Sequence, residues 1–157
     1  MDVVRTSLKE ELKTKGSVLV PIHGVSMLPI LRQKTDCVVV EDASLQDLKP
    51  MDVVLYYNPD RDMYILHRLL WKENHTAKIL GDNCTTIENV PEDKIRGRMS
   101  EFFRGEKGVK TTDPGYRLYV SLWARPWKMR VFLLKCRNKV HRAGSKVKRM
   151  ILRGDRK

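Results

Sequence analysis

Short apolar runs recur along the first part of the chain, and turn residues separate them. The runs are Ser17–Ile22, Cys37–Val40, Val53–Tyr57, Met63–Leu66 and Ala77–Leu80. Runs of this length, bounded by residues that favour turns, are typical of β-strands. The linkers between them, such as Lys49–Asp52 and Gly81–Asn83, leave no room for a crossover helix. The pattern therefore predicts sheets that are mostly antiparallel.

Helical patterns lie towards the two ends of the chain. Ser7–Lys15 is rich in Leu, Glu and Lys and is predicted to form a short helix. Later, apolar residues recur at helical spacing, at Tyr116, Tyr119, Val120, Trp123, Trp127, Val131 and Leu134. Pro126 interrupts this pattern and predicts two helices or one kinked helix. The predicted fold class is mainly β, with antiparallel coiled or sandwich-like sheets, a short N-terminal helix and a helical C-terminal extension.

Charge separates the two patterns. The chain has 31 Lys and Arg against 19 Asp and Glu, a formal net charge of +12. From Tyr116 onward there are 14 basic residues and one acid, Asp155, so the excess of positive charge lies in the extension. Pro114 and Gly115 mark the change in composition. We therefore predict a β domain over residues 1–115 and a basic amphipathic helical extension over residues 116–157.

Composition excludes several classes of protein. A hydrophobic fraction of 41% with 9 Gly and 7 Pro is typical of a folded domain and not of a collagen-like or disordered chain. No apolar run approaches the roughly 18 residues of a membrane-spanning helix, and charged residues occupy the start, where a signal peptide has an apolar stretch. Cys37, Cys84 and Cys136 are widely spaced and indicate neither a disulfide framework nor a zinc site. We expect a cytoplasmic protein with no metal or cofactor.

The first candidate for chemistry is a serine in a turn. The segment Gly24-Val25-Ser26-Met27-Leu28-Pro29 directly follows the first predicted strand. Such a turn presents the Ser26 hydroxyl rigidly and leaves the backbone N–H of Ser26 free to donate to an oxyanion. The residues predicted to support the oxyanion and the cleft are Gly24, Val25, Met27 and Pro29. On its own, a segment of this kind is more often a plain turn.

His67 and two carboxylates are the other candidates. His67 is set in the apolar run Tyr64–Leu70, where an imidazole can take a proton from a serine near neutral pH. Arg68 lies on the opposite face of the strand and is predicted to be a structural ion-pair partner. The turn after the next predicted strand carries Asp82, and Glu88 follows, so either carboxylate is a candidate for orienting His67. Taken singly, His67 is more simply interpreted as a hydrogen-bonded core residue, and Gly81-Asp82-Asn83 as a common turn.

In this order, the segments resemble the superfamily of serine endopeptidases that contains the type I signal peptidases and the self-cleaving SOS repressors. The resemblance is carried by Gly-x-Ser-Met-x-Pro at 24–29, Asp36 with the Val-rich strand after it, Lys49–Val54, His67-Arg68, Gly81-Asp82-Asn83 and Ile95–Met99. It runs from about Val18 to Met99, roughly half of the chain. The set of Ser-Met-x-Pro, His-Arg and Gly-Asp-Asn is more specific than any one of its parts.

The resemblance implies a Ser–His enzyme. Bacterial signal peptidases and SOS repressors have a lysine at the position of His67, whereas the endoplasmic-reticulum and archaeal-type signal peptidases have a histidine followed by an arginine. The resemblance implies the β-rich fold of the signal peptidase catalytic core, with Ser26 as nucleophile and His67 as general base. Glu88 stands where that branch has its orienting aspartate, and Asp82 is the other family acid. The expected function is a serine endopeptidase that cleaves a peptide or protein precursor with a signal- or leader-like segment.

Two other functions stay open. A catalytically silent module of the same fold would hold a peptide strand in the cleft by β-augmentation. A self-cleaving regulator is the second, although no Ala-Gly or Cys-Gly cleavage site and no helix-turn-helix precede Ser26. The charged Ser7–Lys15 segment stands where signal peptidases carry a membrane helix, so trimming of a precursor on the cytosolic side is favoured over removal of secretory signals.

The extension has the composition of a helix that lies on a membrane. Trp123 and Trp127 are predicted to share a helix face, and Arg125, Lys128 and Arg130 are among the basic residues around them. This predicts peripheral attachment to an anionic membrane surface, on the inner face of the membrane. The alternatives are packing of the aromatic residues on the sheet and, on charge alone, binding of nucleic acid. Since no recognition motif accompanies the charge, nucleic acid is the least expected partner.

Overall fold

The structure, a computed structural model, describes residues 3–154 and the side chains of residues 8–141. Helix α1 (Val3–Lys15) is followed by β1 (Ser17–Pro21), β2 (Asp36–Asp42), β3 (Val53–Asn58), β4 (Met63–Glu73), β5 (Thr76–Leu80), β6 (Glu88–Pro91), a 3₁₀ turn (Glu92–Lys94), β7 (Ile95–Arg104) and β8 (Lys107–Lys110). Helix α2 (Pro114–Tyr119), a π-helical turn (Val120–Ala124) and helix α3 (Trp127–Gly154) come last. Among these helices none is long and apolar enough to cross a membrane.

The strands form one antiparallel sheet of 8 strands. Its order is β1-β2-β7-β3-β4-β5-β6, and β8 pairs with the second half of β7. All the pairings are antiparallel. Strand β7 lies in the middle and joins β1 and β2 to the β3–β6 meander. The predicted fold class is confirmed: the protein is mainly antiparallel β, with a short N-terminal helix and a helical C-terminal extension.

The apolar runs predict β1 to β5 and miss the later strands. In β7, the buried residues Ile95 and Met99 alternate with the partly exposed Arg96, Arg98 and Ser100. This alternation belongs to a strand that has one apolar face, so no continuous apolar run marks it. Helix α1 begins earlier than the sequence predicts, at residue 3.

A hydrophobic core cluster lies on each face of the sheet. In β3, Val53 and Leu55 belong to one cluster, and Val54 and Tyr56 belong to the other. They separate because successive side chains of a strand point to opposite faces. Helix α1 covers the first cluster with Leu12, and the loop between β2 and β3 covers the second. Adjacent residues of the neighbouring strand β4 therefore also reach opposite faces.

The extension packs on the sheet. Tyr116 of α2 is buried in the first core cluster, and Leu134 of α3 is buried as well. Trp127 lies against Trp71 of β4, with ring centroids 6.0 Å apart. The π-helical turn and Pro126 separate α2 from α3, so the predicted interruption of the helix is confirmed. Residues after the predicted boundary at 115 therefore contribute to the packing of the β-sheet.

Replacing Tyr116 tests this packing. Tyr116 is 6% exposed, and its hydroxyl accepts a hydrogen bond of 3.3 Å from Nη1 of Arg68. We expect Tyr116→Ala to lower the free energy of unfolding by about 3 kcal/mol, because a large buried ring is lost. Leu118→Ala is the control, since Leu118 lies on the same helix and is 59% exposed, and it should change the value by less than about 0.5 kcal/mol. Urea denaturation measures both, and equal effects would contradict the packing of α2.

Candidate active site

Ser26 lies in the loop between β1 and β2. The predicted cleft residues surround it: Gly24, Val25, Met27 and Pro29. Gly24 has a φ of +83°, in the left-handed region that favours glycine. A hydrogen bond of 3.2 Å from the Leu28 N–H to the Val25 carbonyl closes a turn over Ser26 and Met27. Met27 is buried and Val25 is exposed, so the turn anchors one side of the serine and leaves the other open.

His67 lies on β4 and is 3% exposed. Its Nδ1 is 3.3 Å from Oε1 of Glu88 and 3.3 Å from the hydroxyl oxygen of Tyr56. The Tyr56 hydroxyl donates its own proton to Oε2 of Glu88 at 2.6 Å, so its oxygen accepts from Nδ1. The neutral ring therefore carries its hydrogen on Nδ1 and its lone pair on Nε2. A carboxylate that holds the Nδ1–H in this way fixes the orientation of a histidine base.

Nε2 of His67 faces Gly81 and the serine loop. It is buried and has no hydrogen-bond partner among the described residues, so the bond to Oγ of Ser26 that general-base catalysis needs is not formed in this conformation. A Cβ on Gly81 would lie 2.9 Å from Nε2, 2.8 Å from the Ser26 carbonyl oxygen and 2.7 Å from Sγ of Cys84. All three atoms thus lie around the position that a Cβ of residue 81 would occupy. The structure thus brings Ser26 and His67 together across Gly81.

The loop after β5 is joined to the serine loop by hydrogen bonds. The backbone N–H of Asn83 donates to the Ser26 carbonyl at 2.7 Å, and the Asn83 amide donates to the Val25 carbonyl at 3.1 Å. Nη2 of Arg137, on α3, donates to Oδ1 of Asn83 at 2.9 Å. Asn83 therefore links the C-terminal helix to the turn that carries the candidate nucleophile.

The surroundings of His67 favour its protonated form. Burial alone would lower the pKa of the ring, but the Cys84 sulfur and the Glu88 carboxylate outweigh burial and raise the pKa of His67 to about 9. Hydrogen bonding to His67, aided by the bond from Tyr56, lowers the pKa of Glu88. Because the folded pKa of His67 lies above the ordinary 6.5, this interaction stabilises the fold fully below pH 6.5 and is lost as the pH rises through about 9.

Asp82 does not contact His67 and binds two arginines instead. Its carboxylate is fully buried, and Arg68 donates to both oxygens, from Nε at 2.9 Å and from Nη2 at 2.6 Å. Nη1 of Arg130 and the Tyr119 hydroxyl each add a hydrogen bond of 2.9 Å. Of the two carboxylates that the sequence offers, Glu88 is the one that contacts His67. The part in orienting His67 that the sequence offered to either carboxylate has a contact here only at Glu88, while Asp82 forms a buried ion pair with Arg68, for which such a structural role was predicted.

The residues predicted to bind a membrane have different environments. Arg130 is 1% exposed and bound to a buried carboxylate, so it cannot contact a lipid head group in this structure. Trp127 stacks on a tryptophan of β4, and Trp123 is partly buried. Arg125 and Lys128 are exposed. Helical periodicity turns Arg130, unlike Arg125 and Lys128, towards the sheet.

Sequence reasoning did not single out Tyr56, Gly81 or Cys84 as site residues. The pairing of β3 with β4 would have indicated Tyr56, because Val54 lies opposite His67 and residues two apart share a face. Gly81 belongs to the Gly-Asp-Asn motif, but only the folded chain reveals that a side chain there would overlap the site. Cys84 carries no sequence signal beyond its place just after that motif.

Other binding features of the described residues lie apart from this arrangement. A cleft of about 970 Å³ is lined by Met51, Ser100 and Tyr116 among others, and neither Ser26 nor His67 lines it. The described side chains include no group of three or more His, Cys, Asp or Glu residues that could hold a metal ion. The candidate active site is therefore defined by the contacts around His67 and not by the size of a cavity.

A methyl group at residue 81 tests the close approach around His67. We expect Gly81→Ala to lower the free energy of unfolding by about 1–3 kcal/mol, because the added carbon would overlap atoms of Ser26, His67 and Cys84. Gly115→Ala is the matched control, since a Cβ there meets nothing within 4 Å. Chemical denaturation compares the two variants. Equal stability of both would show that the loops do not meet as described.

Comparison with known proteins adds no relative. No protein-family model matches this chain, and no curated protein matches it.

Proposed function

We propose that the protein is a serine endopeptidase, with Ser26 as nucleophile, His67 as general base and Glu88 as the residue that orients His67. The observation that carries the proposal is the unpartnered, buried Nε2 of His67, which faces the serine loop across Gly81. A buried polar atom without a hydrogen-bond partner is costly, and a catalytic role is one explanation for its retention. In its neutral form, which the raised pKa of His67 places at alkaline pH, the ring offers Nε2 as a base near the serine loop, and a carboxylate that holds Nδ1 orients it to activate a hydroxyl nucleophile.

In the proposed reaction, Oγ of Ser26 attacks the carbonyl carbon of the scissile peptide bond while Nε2 of His67 accepts the hydroxyl proton. The Glu88 carboxylate stabilises the imidazolium that forms. The backbone N–H of Ser26 stabilises the oxyanion, and such a donor is worth roughly 3 kcal/mol in known acyl-transfer sites. His67 passes the proton to the leaving amine as the peptide bond breaks. Water, deprotonated by the same nitrogen, then hydrolyses the acyl-enzyme and regenerates Ser26.

The proposed substrate is a peptide or protein precursor with a signal- or leader-like segment. The motif order from Gly24 to Met99 supports this substrate class, because it resembles that of enzymes which cleave such precursors. The proposed place of action is the cytosolic side, either in solution or at the inner face of the membrane. A silent peptide-binding module and a self-cleaving regulator are the functions against which the proposal is tested.

A peptide library tests the assignment without a known substrate. We expect the chain to cleave members of the library, Ser26→Ala to abolish cleavage, and His67→Ala to reduce it about 10²- to 10⁴-fold, because the base is lost. Ser121→Ala, at an exposed serine of the π-helical turn, is the control and should cleave like the parent. Mass spectrometry identifies the products, and thermal unfolding checks that each variant is folded.

Two results would contradict the proposal. Peptides that bind but are never cut would favour the silent module. A chain that shortens only itself, at a rate independent of its concentration, would favour the self-cleaving regulator.

The pH profile tests the role of Glu88. Cleavage needs neutral His67, so kcat/KM should rise with pH up to about 9 in the parent enzyme. Glu88→Gln removes the charge that stabilises the imidazolium, and burial then lowers the pKa, so the rising limb should move to lower pH while the maximal rate falls. Glu92→Gln is the control, because Glu92 lies 3.0 Å from the exposed His75 and should leave the profile unchanged. A limb that does not move in Glu88→Gln would remove Glu88 from the mechanism.

A further inference from the structure

The described part of the extension exposes large apolar side chains away from the sheet. They are Leu118, Leu122, Met129, Phe132, Leu133 and Val140. Phe132 is 65% exposed and Val140 is 72% exposed. Elsewhere in the described chain, exposed large apolar residues are scattered over β1, the serine loop and β4. Scattered apolar residues are ordinary on a protein surface, whereas a continuous group indicates an interaction site.

Helix α3 has two apolar faces. An α-helix has about 3.6 residues per turn, so Met129, Phe132, Leu133 and Val140 lie along one side of α3. The residues of α3 that contact the sheet, Trp127, Arg130 and Leu134, lie on the other side. Packing on the sheet therefore explains one face of the helix and leaves the outward face without a partner in the described structure.

Basic residues border the outward face. Lys128, Lys135 and Lys139 are exposed and lie along one flank of it, and Arg125 is exposed just before α3. The sequence has no acidic residue between Tyr116 and Gly154. An apolar strip bordered by lysines is the pattern of a helix that lies in the interface of an anionic bilayer.

We infer that the outward face of α3, together with Leu122 of the π-helical turn, binds an anionic lipid bilayer, with Leu122, Met129, Phe132 and Leu133 buried among the acyl chains and the flanking lysines at the head groups. This surface differs from the one that the sequence predicts, since Trp127 and Arg130 support the helix from the sheet side. Nucleic acid would match the lysines but not the apolar strip. A second copy of this chain would match the strip but would bring like charges together.

The bilayer surface does not depend on the proposed proteolysis, but it lies beside the candidate site. Arg130 and Arg137 of α3 bind Asp82 and Asn83, which follow Gly81 directly. Helix α3 therefore joins the proposed bilayer surface on its outward side to the loop behind Ser26 on its sheet side.

Co-sedimentation of the full chain with vesicles tests the inference. We expect binding to vesicles of phosphatidylcholine with phosphatidylglycerol, and binding at least about tenfold weaker to phosphatidylcholine alone. Phe132→Ala with Leu133→Ala should weaken binding at every salt concentration, because the apolar contribution is not screened. Lys128→Glu with Lys135→Glu should weaken it mainly at low salt. The control is Leu19→Ala with Met63→Ala, which removes exposed apolar side chains of β1 and β4 and should change nothing.

Several outcomes would overturn the inference. The intact chain fails the test if it does not bind phosphatidylglycerol vesicles at low salt, or if the control pair weakens binding as much as the α3 pair. A dimer in light scattering that Phe132→Ala and Leu133→Ala dissociate, without vesicle binding, would make the face a contact between copies. Equal binding to a DNA duplex by the parent and the α3 pair, without vesicle binding, would assign the lysines to nucleic acid.

Discussion

Asp82 carries its charge at a position with no access to solvent, where an unpaired carboxylate would be too costly to keep. Arg68 of β4 satisfies both oxygens, and Arg130 of α3 and Tyr119 complete the set. Removing one member of such a buried group costs about 3–5 kcal/mol, because the remaining charges are left unpaired. The position of the C-terminal helix on the sheet is therefore fixed by a charge requirement as well as by apolar contact. The bonds to Asp82 thus join β4, the loop after β5 and α3.

The same constraint extends to the candidate active site through the neighbours of Asp82. Gly81 lies against Nε2 of His67 and the Ser26 carbonyl, and the Asn83 N–H donates to that carbonyl. His67 and Arg68 are adjacent on β4 and point to opposite faces, so one strand presents the base on one side and holds Asp82 on the other. The loop that carries the buried charge of Asp82 is thus also the loop that supports the serine turn. Stability and the geometry of the site are maintained by the same short segment.

The sequence predicts the parts of this arrangement that depend on local pattern. Apolar runs predict β1 to β5, and the alternation of side chains along β4 gives His67 and Arg68 their separate roles. The sequence could not decide whether Asp82 or Glu88 contacts His67. The answer depends on which strands pair beside β4 and on where the loop between β5 and β6 places each carboxylate. The sequence around Arg130 does not differ in kind from that around the other basic residues of the extension. It therefore could not reveal that this guanidinium binds a buried carboxylate. The contribution of Tyr56 is a long-range contact, which becomes visible only when β3 and β6 are both in place.

The sheet has β1 and β6 at the two ends of its strand order, and no further strand of the described chain pairs with their outer sides. Both are short, and they end in Pro21 and Pro91, which have no N–H to offer a further strand. Strand β8, added at the end of β7, begins and ends with a lysine. Short strands, prolines and lysines are the features by which natural sheets avoid pairing of their edge strands with other chains. Such edges disfavour pairing with a strand from a second copy, and with it strand exchange and fibril growth.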